Sequence, residues 1–121
     1  MRVGFGYDVH KLTSGKGMVL GGVFIESEFS VEAYSDGDVI IHALIDSLLG
    51  AAALGDIGSL FPSEDPKNKE VSSRLLLREV VNLLSSKHYV IVNVDLTLIA
   101  EEPKIKDKIS MPSRISKLCI P

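Results

Sequence analysis

From Arg2 to His10 the chain reads "RVGFGYDVH": every second side chain is large and apolar, at Val3, Phe5, Tyr7 and Val9, with Gly4, Gly6, Asp8 and His10 between them. A period of two predicts a strand. The glycines strip one face of bulk, so a ligand or another backbone can come close there. Asp8 and His10 share that face with their roots about 6.6 Å apart, near enough for a carboxylate oxygen and a ring nitrogen to converge on one cation. An isolated Asp-x-His is more often a turn residue beside a surface histidine, so this pair decides nothing alone.

The remaining sequence supplies the elements that cover such a strand. Met18–Leu20 and Val23–Ile25 flank Gly21-Gly22, whose tolerance of positive φ predicts a tight hairpin. Ser35, Asp36 and Asp38 offer capping oxygens ahead of a helical period at Val39, Ala43, Leu44, Leu48 and Ala51 or Ala52, ending near Gly55. "DIGSLFPSEDPKNK", Asp56–Lys69, has no sustained period and reads as an extended surface loop. A second amphipathic helix starts at Ser72 or Ser73, carries Leu75, Leu76, Val80, Leu83 and Leu84 on its apolar side, and stops near Lys87. Tyr89–Ala100 alternates again and predicts a long central strand with Val90, Val92, Val94, Leu96 and Leu98 on one face. Pro103 suits the first turn of a third helix bearing Ile105, Ile109, Ile115 and Leu118, which Pro112 would kink. The expected fold is α+β, a two-layer sandwich with helices on one face of a small mixed β-sheet.

At 121 residues and 45% hydrophobic composition the chain suits one domain with a real core. Thirteen basic against sixteen acidic residues give a net charge of −3 without a basic stripe, which argues against nucleic acid as a partner. The apolar windows Val39–Leu54 and Val90–Ala100 are interrupted by charge and too short for a membrane span. A single cysteine, Cys119, allows no intrachain disulfide, and no leader pattern precedes the first strand. A bacterial cytoplasm is the expected location, or a plastid-type organelle if a leader has been removed.

His42 changes the weight of the Asp-x-His pair. It lies on an apolar helix, with Asp38 one turn before and Asp46 one turn after. Either carboxylate could satisfy it as a core histidine. If the first strand packs beside this helix, however, Asp8, His10 and His42 form a three-donor set with one tetrahedral position open, the pattern of a catalytic zinc site, and Asp38 or Asp46 would orient the His42 ring. Tyr34 and Ser35, at the same helix start, are placed to offer a phosphate the helix N-terminus. Asp56, Ile57 and Gly58, with Phe61, Pro62 and Ser63, could line a pocket or be ordinary turn residues. Glu101, Glu102 and Lys104 read as a solvated helix start; His88 and Cys119 receive no role.

"GYDVH", "SDGDV" leading to "HALID" and "LLGAAALGDIG", then "LFP" and "NVDLTLIAEEPK", stand in one order and spacing along nearly the whole chain. Together they resemble the 2-C-methyl-D-erythritol 2,4-cyclodiphosphate synthase family of the non-mevalonate isoprenoid pathway. The resemblance implies a ferredoxin-like or chorismate-mutase-like protomer of a homotrimer, and a phosphorus–oxygen lyase acting on a cytidine diphosphate substrate. It implies zinc on Asp8, His10 and His42, phosphate contact by Ser35, and a methylerythritol pocket from Asp56, Ile57, Gly58, Phe61, Pro62, Ser63, Glu64 and Asp65. Ala100, Glu101, Glu102, Pro103, Lys104, Ile105 and Lys106 correspond to its cytidine pocket. Tyr34 stands where the family usually has a catalytic histidine, and offers a neutral hydrogen bond instead. The family continues beyond "KLCIP" into a strand and a helix whose Thr-Thr-x-Glu motif holds a second cation, magnesium or manganese. On this reading the chain is a truncated member lacking that ligand. Two rivals use the same residues: a non-catalytic zinc- and CMP-binding remnant, and a metal-dependent phosphohydrolase.

Overall fold

The computed structural model describes residues 1–68 and 71–101; the expected third helix lies outside them. Four short strands open the fold: β1 (Leu12–Ser14), β2 (Gly17–Leu20), β3 (Val23–Glu26) and β4 (Phe29–Val31). β1 pairs with β4, and β2 with β3, both antiparallel. The bonds Gly15 N–H to Glu28 O, Ser27 N–H to Lys16 O and Glu32 N–H to Lys11 O keep the same register between and beyond the two ladders. The four strands are thus two arms of one hairpin. Its tip is the expected Gly21-Gly22 turn, with φ of 60° and 79°, the left-handed pair that a two-residue turn matching strand twist requires.

Three helices follow: α1 (Val39–Ala51), the single-turn α2 (Ile57–Leu60) and α3 (Ser73–Ser86). α2 and a 3-10 turn at Pro66–Asn68 give shape to the stretch expected to be an extended loop. Asp38 caps α1, its Oδ1 accepting from Ile41 N–H at 3.1 Å. The same carboxylate holds the hairpin tip, accepting from Gly21 N–H at 2.9 Å and Gly22 N–H at 2.7 Å. Fully buried, it is pushed up by desolvation, an effect these three N–H groups only partly offset. Asp38→Ala would leave two buried donors, Gly21 and Ile41 N–H, and the part-buried Gly22 N–H without an acceptor; at roughly 1–3 kcal/mol each and less than additive, we expect about 3 kcal/mol of lost stability. A denaturant midpoint shift at unchanged m-value checks this.

One core joins the layers. Met18, Leu20 and Ile25 of the hairpin meet Ile41, Leu44, Ile45 and Leu49 of α1 and Leu76, Leu77, Val80 and Leu84 of α3. The helix faces differ in detail from the expected stripes. In α1, Val39, Ala43 and Leu48 are only half-buried, whereas Ile40, Ile41 and Ile45 are buried, because α1 is covered on more than one side. In α3 the buried stripe includes Leu77 instead of Leu75, which is 50% exposed.

The first segment runs antiparallel to α1. Arg2 reaches the Ala51 carbonyl, and Cβ atoms built on Gly4 and Gly6 would strike Ser47 O at 1.9 Å and Ala43 O at 1.8 Å. Two extended residues advance about 6.6 Å and four helical residues about 6 Å, so alternate residues of one keep step with successive turns of the other. The backbone expected to approach Gly4 and Gly6 is therefore the helix itself.

Two corrections concern the sheet. Among the described residues neither Arg2–His10 nor Tyr89–Ala100 carries a ladder, and the ladders present are antiparallel only. Arg2–His10 is held by its face against α1. In Tyr89–Ala100 the inward phase slips by one residue: Tyr89 and Ile91, then Val94, Leu96 and Leu98, pack on the core, leaving Val90 and Val92 exposed. No helix among the described residues is long and apolar enough to cross a membrane.

Candidate metal centre

The match in step between the first segment and α1 brings Asp8 and His10 onto the turn of α1 that bears His42. Asp8 Oδ2 lies 2.9 Å from His10 Nε2 and 3.3 Å from His42 Nδ1, and the two ring nitrogens are 3.3 Å apart. Donors about 2.0–2.2 Å from a tetrahedral zinc stand roughly 3.4 Å from one another, so the three atoms need hardly move to share an ion. The rings meet edge to face at 71°. Asp8 Oδ2 is buried and makes no aligned hydrogen bond despite two nitrogens in range. Three donors converging on a point, with one of them orphaned, fit a cation better than an ion pair. Among the described residues this is the one such group of three.

Charge supports the same fit. Burial alone would raise the Asp8 carboxyl, but His10 and His42 hold it well below the usual carboxylate range. His10 is raised above the ordinary imidazole value, chiefly by its contact with Asp8 and against the effect of burial. The carboxylate and the His10 imidazole thus favour each other's charged forms.

Around His42 the expected orienting groups are elsewhere. Asp38 serves the hairpin tip, and Asp46 accepts from Ile57 N–H at 2.7 Å, fixing the start of α2. Neither bonds the ring. Its Nε2 instead meets Ser73 Oγ at 2.7 Å and Ser35 Oγ at 3.2 Å. Asp36 accepts from both the hydroxyl and the backbone N–H of Ser73, the latter at 2.8 Å. Ser73 and Asp36 had been legible only as helix caps; their contact spans 37 residues and leaves no trace in local spacing.

A cavity of about 360 Å³ opens beside His10 and His42. Tyr34 and Ser35 line it, with Ile57, Gly58, Phe61, Ser63 and Glu64 opposite, while Asn68, Val71 and Leu76 are wall residues the sequence did not suggest. Asp56, Pro62 and Asp65 are not in the wall. The exposed Asp56 caps α2 by accepting from Ser59 N–H at 2.8 Å, which lowers its carboxyl. Pro62 O accepts from Asn68 Nδ2, and Asp65 accepts from Lys67 N–H. Tyr34 donates to Asp65 O at 3.5 Å. The expected anion seat at the start of α1 already holds the Asp38 carboxylate, which leaves Ser35 as the polar group facing the cavity from that side. Ala100 and Glu101 are exposed, and Glu102–Lys106 lie outside the described residues.

A small α+β protein in which an Asp-x-His pair meets a helix histidine beside a cavity belongs to the class of proteins able to hold a metal ion next to a small-molecule-sized pocket. The chain belongs to the YgbB family, whose model matches residues 1–120. A curated relative from Clostridium novyi, 2-C-methyl-D-erythritol 2,4-cyclodiphosphate synthase, is 53% identical over 99% of this chain and 78% of its own length. The synthase of the same name from Methylobacillus flagellatus is 51% identical over 98% and 75%. A solved structure of 2C-methyl-D-erythritol-2,4-cyclodiphosphate synthase in its CDP-bound form superposes with a TM-score of 0.90 at 37% identity, covering 98% of this chain and 79% of that one. The CDP complex of Plasmodium falciparum IspF gives 0.80 at 41% identity, covering 98% and 72%.

Proposed function

We propose that this chain is a 2-C-methyl-D-erythritol 2,4-cyclodiphosphate synthase, converting 4-diphosphocytidyl-2-C-methyl-D-erythritol 2-phosphate to the cyclic 2,4-diphosphate and CMP. The observation that carries the reading is the three-donor convergence of Asp8, His10 and His42 beside a cavity, in a chain more than half identical to a synthase of that name. In the reaction an oxygen of the 2-phosphate forms a bond to the β-phosphorus. The bond from that phosphorus to the oxygen bridging the α-phosphate breaks, and CMP leaves with the electron pair. No protein nucleophile is required, so catalysis consists of alignment and charge neutralisation.

Asp8, His10 and His42 would hold a divalent cation, zinc by its donor set, which when bound supplies Lewis-acid charge and a template for phosphate oxygens. Ser35 Oγ presents a hydrogen bond to phosphate from the cavity wall, and Tyr34 a neutral one near the reacting groups. Ile57, Gly58 and Phe61 bound the methylerythritol end, with Ser63 and Glu64 at its rim; Asp56, Pro62 and Asp65 shape the loop that carries them. The cytidine end falls to Ala100–Lys106. Magnesium or manganese bridging the phosphates, a homotrimeric assembly, a single domain and a bacterial cytoplasmic location complete the reading, as proposals from family likeness.

The test is CMP and cyclic-diphosphate formation followed by phosphorus NMR, with and without chelator. Zinc and CMP binding with no cyclic product would make the chain a binding remnant, and orthophosphate release would make it a hydrolase.

One pH effect follows from the site itself. Because His10 is raised, a cation must displace its proton, so affinity should fall about tenfold per pH unit below the raised value and level off above it. Calorimetric titration in buffers of different ionisation enthalpy should count about one proton released per ion on the acid side. A flat profile there would contradict the assignment of His10 as a ligand.

A further inference from the structure

Two polar groups behind His42, Ser73 and Asp36, form a chain that the cation-site reading does not use. Ser73 is fully buried at the start of α3, with its hydroxyl between Asp36 Oδ1 and His42 Nε2. A hydroxyl has one proton to give, whereas a carboxylate oxygen can only accept. The Ser73 proton is therefore committed to Asp36, so Ser73 Oγ turns only lone pairs toward His42 Nε2, and at 2.7 Å, nearer than Ser35 Oγ at 3.2 Å, it accepts from His42. That places the His42 proton on Nε2 and leaves the lone pair on Nδ1, the atom facing Asp8 and His10.

We infer that Asp36 and Ser73 are positioning residues which together fix the tautomer of His42, presenting its Nδ1 lone pair to the cation. The inference rests on the cation-site reading above for its purpose, though not for its geometry. The position of Asp36 is itself over-determined. Its Oδ2 accepts from Ser73 N–H at 2.8 Å, so the carboxylate completes the first turn of α3, for which the N-cap Ser72 makes no side-chain bond. Its Oδ1 also accepts from Asp38 N–H at 3.2 Å. The carboxylate thus cannot rotate away from the hydroxyl without breaking backbone bonds on both sides. The start of α3 and the metal centre share one anchor.

The two residues act on His42 by different routes. In Asp36→Asn the remaining carbonyl oxygen is retained by Ser73 N–H, which turns the amide NH2 toward Ser73 Oγ. The serine proton is then free for His42 Nε2, and the histidine should shift to the Nδ1–H form. Ser73→Ala removes the nearer acceptor and leaves only Ser35 Oγ at 3.2 Å. Either change should weaken zinc binding about 10–100-fold, the usual cost of losing a group that orients a metal-bound histidine, and Ser73→Thr, which keeps the hydroxyl, should recover most of it.

The decisive measurement is 15N–1H correlation of the imidazole nitrogens in the metal-free wild-type protein at alkaline pH, beside chelator-competition titrations of zinc into the wild type and the three variants. An Nε2–H tautomer at His42 in the wild type that moves toward Nδ1–H in Asp36→Asn is expected. An Nδ1–H tautomer in the wild type overturns the inference, and so does wild-type zinc affinity in both Ser73→Ala and Asp36→Asn. The tautomer is read without metal, so it decides the matter even if the wild type takes up no zinc, a result that would remove the functional reading instead.

Discussion

His42→Ala should abolish useful zinc binding and, with it, CMP release. Zinc sites with four protein ligands bind with about 10–16 kcal/mol, so one ligand is worth about 3 kcal/mol, or somewhat more than a hundredfold in affinity. The loss exceeds that of a surface histidine because the donors are pre-assembled: Asp8 Oδ2, His10 Nε2 and His42 Nδ1 already lie within 3.3 Å of one another. With the ring gone, Asp8 and His10 remain as an ion pair that can hold a proton but offers only two donors. Chelator-competition titration and a CMP assay on the same preparation check the prediction, with far-UV circular dichroism to show that α1 and α3 persist. A variant that binds zinc and releases CMP like the wild type would end the assignment.

A methyl group at Gly6 should act on the same centre from a distance. Its Cβ would sit 1.8 Å from Ala43 O and 2.8 Å from Ser47 N, against a contact floor of 3.0 Å, so the segment must lift from α1 by about 1.2 Å. The obstructing atoms are helix backbone and cannot swing aside. Overpacking of this kind costs about 1–3 kcal/mol, and here the upper end applies. The gain from stiffening the unfolded chain, about 0.4–1 kcal/mol, does not offset it. Asp8 and His10 ride on the same segment, so Gly6→Ala should also weaken zinc binding at least tenfold. Gly50→Ala is the internal control: on the exposed side of α1 its Cβ would meet nothing nearer than Phe5 O at 4.0 Å, and helix propensity predicts a gain of up to about 1 kcal/mol. Thermal melts and zinc titrations of the pair should diverge in sign of stability change; similar behaviour would show that the close approach at Gly6 is unimportant.

The convergence of Asp8, His10 and His42 was legible because the period of two at Asp8 and His10 and the helical placement of His42 each fix which side a residue occupies. Local chemistry likewise sufficed for the Gly21-Gly22 turn, the Asp38 cap, the start of α1 and the bounds of α3, whereas α1 stops at Ala51, short of the Gly55 expected to end it. What period cannot fix is where the centre of a stripe falls. Leu75 and Leu77 are equally apolar, and only the neighbours of α3 determine that Leu77 goes inside. The slip between Ile91 and Val94 is invisible for the same reason, since β-branched residues occupy both phases. Carboxylates were the least legible. Asp36, Asp38 and Asp46 all suit a helix start or a partner for His42, but their choices among Ser73, the hairpin tip and α2 are made by distant backbone.

The double engagement of Asp38 has a dynamic consequence. Because one carboxylate closes the hairpin tip and the first turn of α1 together, neither can fray while the other stays shut. The amide protons of Gly21, Gly22 and Ile41 should therefore exchange with deuterium in a single cooperative opening, at a common free energy, although Ile41 lies nineteen residues beyond Gly22 along the chain.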